Sequence, residues 1–287
     1  MKSVVVRNSV TLEYEMFGQS GNNGTVLLVS GAGAPATFWP LPFCKRLADA
    51  GLRVIRYNHR DTGGSTHFDQ PYSLEELVQD MMALLDALSV AEVHLIGHSM
   101  GGYMAQLAMV LYPEKIRSIV SMSAGSVIDE DMKLALGLSS PNTETWAQLM
   151  KNVPVGDLDQ DLPGWLESMC FLNGGLAFDR LMARDYVANL YSGDPRNAMV
   201  ADNHIHAMTT VPSTLAKGVG EASQPMLVLH GQQDLLVPID NGKHTCDLAG
   251  RARGNFIKLE EAGHMFFNQE IWQEIGDSIV DFITGQE

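Results

Sequence analysis

Three stretches of the chain carry residue types that together could cleave a carbonyl compound: GHSMGG at 97–102, HGQQDLLVP at 230–238 and LEEAGHMFF at 259–267. A serine hydroxyl is a weak nucleophile at neutral pH. It needs a base within hydrogen-bond reach, and that base needs an acid to fix its tautomer. Ser99, Asp234 and His264 supply the three, in the chain order serine, acid, histidine. In this reading Ser99 attacks, and His264 is first general base and then general acid. Asp234 orients the imidazole and stabilises its charged form. The pattern G-x-S-x-G asks for small residues because the serine must stand on a sharp, strained turn between a strand and a helix. The helix that follows would aim its first amides at negative charge forming beside the serine.

Other residues compete for these roles. Asp240 and Asp129 are alternative acids, but Asp234 lies in a G-x-x-D-x-x-V-P setting directly after an apolar run. His94, His98 and His230 fall within or at the ends of such runs, where packing is the expected role. His59 and His67 flank a turn. His204 and His206 stand at i, i+2 and so do not share a helix face, although either could reach a substrate from above. No His, Glu or Cys grouping has the spacing of a metal site, and neither metal nor organic cofactor is expected.

The elements that must position these residues are legible as an alternation. TVLLVSG (25–31), LRVIRYNH (52–59), VHLIGHS (93–99), SIVSMSAG (118–125) and PMLVLHG (225–231) are continuous apolar runs, suited to strands buried on both faces of a parallel sheet. VTLEYEMFG (10–18) alternates like a half-exposed strand, and NFIKLEEA (255–262) reads as a last strand. Helical spacing fills 39–50, 73–89, 100–113 and 269–284. Strand and helix in this order mean an open, right-handed α/β sheet. The alternation stops between 126 and 222, where the text is helical, punctuated by proline and rich in methionine and aromatics. The expected organisation is a core of 1–125 and 223–287, with an inserted helical cap at 126–222 forming a flexible apolar lid.

Composition narrows the partners. Of 287 residues, 45% are hydrophobic and 18% charged, which is ordinary globular material. The formal net charge of −15 offers no basic footprint for nucleic acid and disfavours anionic membrane surfaces. Neither 25–44 nor 95–113 is a continuous apolar run of about 18 residues, and the first 15 residues do not read as a signal peptide. Cys44, Cys170 and Cys246 are expected as buried free thiols in a reducing, cytoplasmic setting. Monomer and homodimer both remain open.

GHSMGG, HGQQDLLVP and AGHMFF together resemble the α/β-hydrolase superfamily across essentially the whole chain. That resemblance implies an α/β-hydrolase fold, with a mostly parallel sheet, helices on both faces and a helical cap. It aligns SGAGAPATFWP (30–40) with the loop after the third strand, which in the family usually begins His-Gly; here Ser30 replaces the histidine. By the family pattern the backbone N–H groups of Ala32 and Met100 form the oxyanion hole. Gly31 and Trp39 in this loop, with Trp146 and Met208 in the insertion, are the candidate substrate contacts. YNHRDTGGST (57–66) is similar to the R-x-D-x-R-G-x-G-x-S stretch of esterase and peroxidase-like branches. Its form is closest to aclacinomycin methylesterase-type proteins, which cleave a methyl ester on a polyketide. Asp61, Gly63 and Ser65 within it are expected to hold a turn. Serine at 99 excludes the aspartate-nucleophile branches. The expected activity is hydrolysis of a small, largely apolar, neutral carboxylic ester, with water as the second reactant. Lactonase, thioesterase, carbon–carbon bond hydrolase and perhydrolase chemistry use the same triad, and a ligand receptor with vestigial hydrolysis keeps the same fold.

Overall fold

The computed structural model describes the chain except residues 8, 20–22, 129, 193–200, 212–214, 251–252, 266–267 and 286–287. Eight strands form one sheet: β1 (Lys2–Val5), β2 (Thr11–Phe17), β3 (Thr25–Val29), β4 (Arg53–Tyr57), β5 (Val93–His98), β6 (Ile116–Met122), β7 (Met226–Gly231) and β8 (Gly254–Leu259). Their order is β1-β2-β4-β3-β5-β6-β7-β8. β1–β2 and β2–β4 pair antiparallel, and every later pair is parallel.

Burial explains the two kinds of strand text. β5 and β7 are buried at every residue, as a continuous apolar run in a covered parallel sheet must be. β2 lies towards the edge, and its buried Leu12 and Tyr14 alternate with half-exposed neighbours. β1 was not legible as a strand: it is four residues long, lies at the sheet edge and is largely exposed, so it shows no apolar period.

The helices are α1 (Leu41–Asp49), α2 (Leu74–Ala87), α3 (Met100–Leu111), α4 (Glu130–Ala135), α5 (Thr143–Lys151), α6 (Leu158–Phe171), α7 (Arg180–Leu190), α8 (Ala201–Thr209), α9 (Leu215–Glu221), α10 (Ile239–Ala249) and α11 (Gln269–Thr284). A short 3-10 turn covers Ala36–Phe38. Ser73 and Glu76 close a reciprocal capping box that starts α2. α11 buries Ile271, Ile275, Ile279 and Phe282 along one stripe and packs against α1 and β7.

Two apolar clusters cover the two faces of the sheet. Leu27 and Val29 of β3 enter one, with α2 and α3; Val26 and Leu28 enter the other, with α1 and α11. The segment 126–222 divides between them. Leu166 and Met169 of α6 and Ala183, Val187 and Leu190 of α7 join the α1/α11 side. Ala207 of α8 and Val219 of α9 join the α2/α3 side, so these two helices share the core's own packing. α4 and α5 carry Leu134, Trp146 and Met150 in the open.

All three cysteines are free, but only Cys44 is fully buried; Cys170 is exposed on α6 because it falls on the outer face of that helix. No described helix is long and apolar enough to cross a membrane.

Candidate active site

The carboxyl ends of β5, β7 and β8 bring Ser99, Asp234 and His264 to one edge of the sheet. Ser99 follows β5 directly, at φ 53 and ψ −120. That left-handed conformation is strained for a serine, by about 1–3 kcal/mol. It is held because Ser99 N–H donates to Met122 O (2.9 Å) and Ser99 O accepts from Gly102 N–H (2.8 Å). The flanking glycines are steric requirements. A Cβ on Gly97 would lie 2.0 Å from Gly101 O, and one on Gly101 would lie 2.1 Å from Val29 O. α3 begins at Met100, so its first turn faces the serine.

His264 stands in the loop after β8, and its Nδ1 lies 2.9 Å from Asp234 Oδ2. An ionised carboxylate only accepts, so the ring proton sits on Nδ1 and Nε2 keeps its lone pair. Asp234 Oδ1 accepts from the amides of Leu236 (2.9 Å) and Val237 (2.8 Å). Burial works to raise the Asp234 pKa. The imidazole of His264, with His230 and the Val237 amide, outweighs burial and keeps the carboxyl below its ordinary value. Asp234 is therefore a charged partner for His264 at neutral pH. Asp240 serves elsewhere: it opens α10 and accepts from Ser139 N–H at 2.8 Å. Asp129 lies outside the described residues.

His98 couples the serine turn to the histidine loop. Its Nε2 donates to His264 O at 2.7 Å, and the two rings stand 4.9 Å apart. Burial, with His264 next to it, lowers the His98 pKa to about 3, so the ring is neutral and is a support rather than a base. His94 pairs with Ser118 across β5 and β6 (2.7 Å), and His230 donates to Val237 O (2.7 Å), both as packed core groups. The His264 loop also leans on the insertion. His264 N–H donates to Leu172 O (2.7 Å), and Gly263 N–H donates to Asn173 O (3.0 Å).

The loop 30–36 runs beside the elbow. A Cβ on Gly31 would sit 3.2 Å from Ser99 Cβ, which puts this glycine against the nucleophile. Ala32 is exposed. Among the described residues neither Ala32 N–H nor Met100 N–H has a protein acceptor. The rest of the loop is anchored at several points. Ser30 O accepts from His59 Nε2 (3.0 Å), Gly33 N–H donates to His204 Nδ1 (2.8 Å), Ala34 N–H to Gly31 O (3.2 Å), and Ala36 N–H to Asn58 Oδ1 (2.7 Å). The sequence carries no signal for His59, His204 and Asn58 as supports of this loop, because their partners are remote in sequence.

The remaining candidates fall in different places. Trp39 is 0% exposed and stacks on Phe43 in the core, so it is packing rather than an open substrate contact. Met208 is partly buried against the α2/α3 cluster. Trp146 is half exposed on α5. Asp61, at φ 65, accepts from Phe68 N–H (2.6 Å), Tyr72 OH (2.7 Å) and Asn203 Nδ2 (3.0 Å), which makes 57–66 a braced turn. A cavity of about 480 Å³ lies behind the loop, lined by Glu13, Pro35, Thr37, Asn58 and His67 among others; no triad member lines it. Among the described residues no group of three His, Cys, Asp or Glu side chains could hold a metal ion.

An open α/β sheet with a strained serine between β5 and α3, and an Asp–His pair on the following strands' ends, defines the class. The chain belongs to the alpha/beta hydrolase fold family, whose model matches residues 24–270. Rhodomycin D methylesterase DauP of Streptomyces sp. (strain C5) is 30% identical over 278 residues, covering 91% of each chain. Among solved structures, an esterase from Exiguobacterium antarcticum, EaEST, superposes with a TM-score of 0.77 at 16% identity, over 98% of both chains. The enol-lactonase from Burkholderia xenovorans LB400 gives 0.71 at 20% identity, over 99% of this chain and 100% of its own. The protein is thus an α/β-hydrolase with esterase-type relatives.

Proposed function

We propose that the protein hydrolyses a carboxylic ester through an acyl-enzyme on Ser99. The observation that carries the reading is the 2.9 Å pair of His264 Nδ1 and Asp234 Oδ2 beside a serine held at φ 53. Ser99 Oγ attacks the carbonyl carbon as its proton passes to His264 Nε2. The oxyanion accepts from Ala32 N–H and Met100 N–H, whose charge complementarity is pre-set by the backbone. The tetrahedral adduct collapses, the C–O bond to the alcohol breaks, and the alcohol leaves with the proton from His264. Water then repeats the sequence against the acyl-enzyme and releases the acid.

The 30% identity to a methylesterase supports small leaving alcohols, methanol first. The apolar residues of 126–222 support a largely apolar, neutral acyl part. Three free thiols fit a reducing compartment such as the cytoplasm.

A fluorophosphonate probe should label Ser99 covalently. Ser99→Ala should lose both the label and turnover of p-nitrophenyl acetate and aryl methyl esters. Ester turnover that survives Ser99→Ala sinks the mechanism. A panel of methyl esters, lactones and thioesters then ranks the bond that is broken.

A further inference from the structure

Ser30 stands where the family usually has the histidine of the His-Gly pair, yet loop 30–36 is held tightly from outside. One of those holds comes from the insertion. His204 lies on α8, 171 residues from Gly33, and is 0% exposed. Its Nδ1 faces the Gly33 amide at 2.8 Å and its Nε2 faces Arg60 O at 3.1 Å. An amide can only donate and a carbonyl can only accept, so both contacts are satisfied by one species: neutral imidazole with its proton on Nε2. Protonation would set one N–H against another at Gly33. Burial favours the neutral ring, against the opposing pull of the Arg60 carbonyl and Asp61, and lowers the pKa to about 4.

The surroundings keep the ring where it is. Asn203, its neighbour on α8, donates to Asp61 Oδ2 (3.0 Å) and Phe68 O (3.1 Å). Leu74 N–H donates to Thr210 Oγ1 at 3.1 Å, which ties the end of α8 to the start of α2. The rings of His59 and Tyr72 stand 5.9 Å and 6.1 Å from that of His204. Gly33 itself has φ +67, so its peptide can point its amide towards α8 without side-chain strain. Rotating the Gly33 peptide would move Ala32, which precedes it, and with it the Ala32 amide.

We propose that His204 is a positioning residue: by accepting from Gly33 N–H it holds loop 30–36 in the conformation that presents Ala32 N–H to the oxyanion, so α8 is part of the reactive edge and not of a lid. The proposal rests on the esterase reading and on Ala32 as an oxyanion donor.

The test compares His204→Ala, His204→Asn and Ala32→Pro in the full chain, each checked for its melting temperature, with p-nitrophenyl acetate as substrate and an aryl trifluoromethyl ketone as a tetrahedral-adduct mimic. His204→Ala loses both bonds. Its kcat should fall about 10- to 100-fold with KM within about twofold, and ketone affinity should fall in step. His204→Asn keeps an acceptor near the Nδ1 position and should recover kcat to within about fivefold of the parent. Ala32→Pro deletes the donor itself and should lose about 10²–10³ in kcat. If Ala32→Pro falls while a folded His204→Ala keeps its kcat, the role of His204 is overturned and the oxyanion reading stands. If His204→Asn is as impaired as His204→Ala while ketone affinity is unchanged, the role is likewise overturned. If Ala32→Pro keeps its kcat, the oxyanion reading fails and the proposal falls with it. Should His204→Ala not fold, His204→Leu, which keeps the volume but offers no acceptor, takes its place: a ketone affinity about 10- to 100-fold weaker supports the role, and parent-level affinity overturns it.

Discussion

α8 and the pair α4–α5 belong to the same insertion and treat the reactive edge in opposite ways. α8 buries His204 and Ala207 and hands bonds to Gly33, Arg60, Asp61 and Leu74. α5 packs mainly on its neighbour α6, and Leu134, Trp146 and Met150 of α4–α5 face outward. The loop between α4 and α5 is tied back by Ser139, which meets Asp240 and Asn241 at the start of α10. The difference is one of what a displacement breaks. Shifting α4–α5 costs apolar contacts and hydrogen bonds that water can replace at the surface, whereas shifting α8 leaves the buried partners of His204 unpaired, at about 1–3 kcal/mol each. A helical insertion is therefore not one lid. Its inner helices are bound into the core packing, while its outer ones are held at the surface.

The comparison can be broken at several strengths. Ser99→Ala should reduce kcat for p-nitrophenyl acetate by about 10⁴–10⁶, and Asp234→Asn by about 10⁴, because the amide turns the imidazole into the wrong tautomer. Stopped assays with active-site titration check both. These set the floor against which any insertion variant is read.

Acid stability is the next largest effect. Burial first, helped by a neighbouring positive or titratable group at three of the sites, lowers His59 and His98 to about 3 and His94 and His204 to about 4. Unfolded histidines titrate near 6.5, so between that pH and about 4 the unfolded chain binds more protons. Stability should be level above pH 7 and fall below 6.5, by about 1.4 kcal/mol per pH unit for each such histidine. Urea midpoints between pH 8 and 4.5 measure this. A midpoint that does not move from pH 7 to 5 would show that these rings are not held neutral. His204→Asn should lessen the slope by one proton, which tests the α8 side alone.

Smaller effects belong to the outer pair. Trp146→Ala should raise KM for bulky aryl esters several-fold and change kcat by less than about threefold, since remote apolar contacts act on binding. Leu134→Ser, at a residue 80% exposed, should leave both parameters and the melting temperature within error. If Leu134→Ser cut kcat as deeply as His204→Ala, the division between inner and outer helices would be wrong.

Much of this was legible in the residues. Continuous apolar runs marked β3 to β7 because a strand covered on both faces has no polar side to show. The small residues around Ser99 marked the elbow because Gly97 and Gly101 meet backbone at about 2 Å, where no side chain fits. Asp234 and His264 could be ordered because each directly follows a strand. These are local constraints, written within a few positions of one another. Other features depended on remote contacts. Trp39 looked like a pocket aromatic and proved to be core, since its neighbours Phe38 and Phe43 turn it inward. α8 and α9 read as cap and pack as core because burial on the α2/α3 face depends on partners about a hundred residues away. His204 carried no local signal at all. A buried histidine is defined by the donor and acceptor it meets, and Gly33 and Arg60 are brought to it only by the closed tertiary structure.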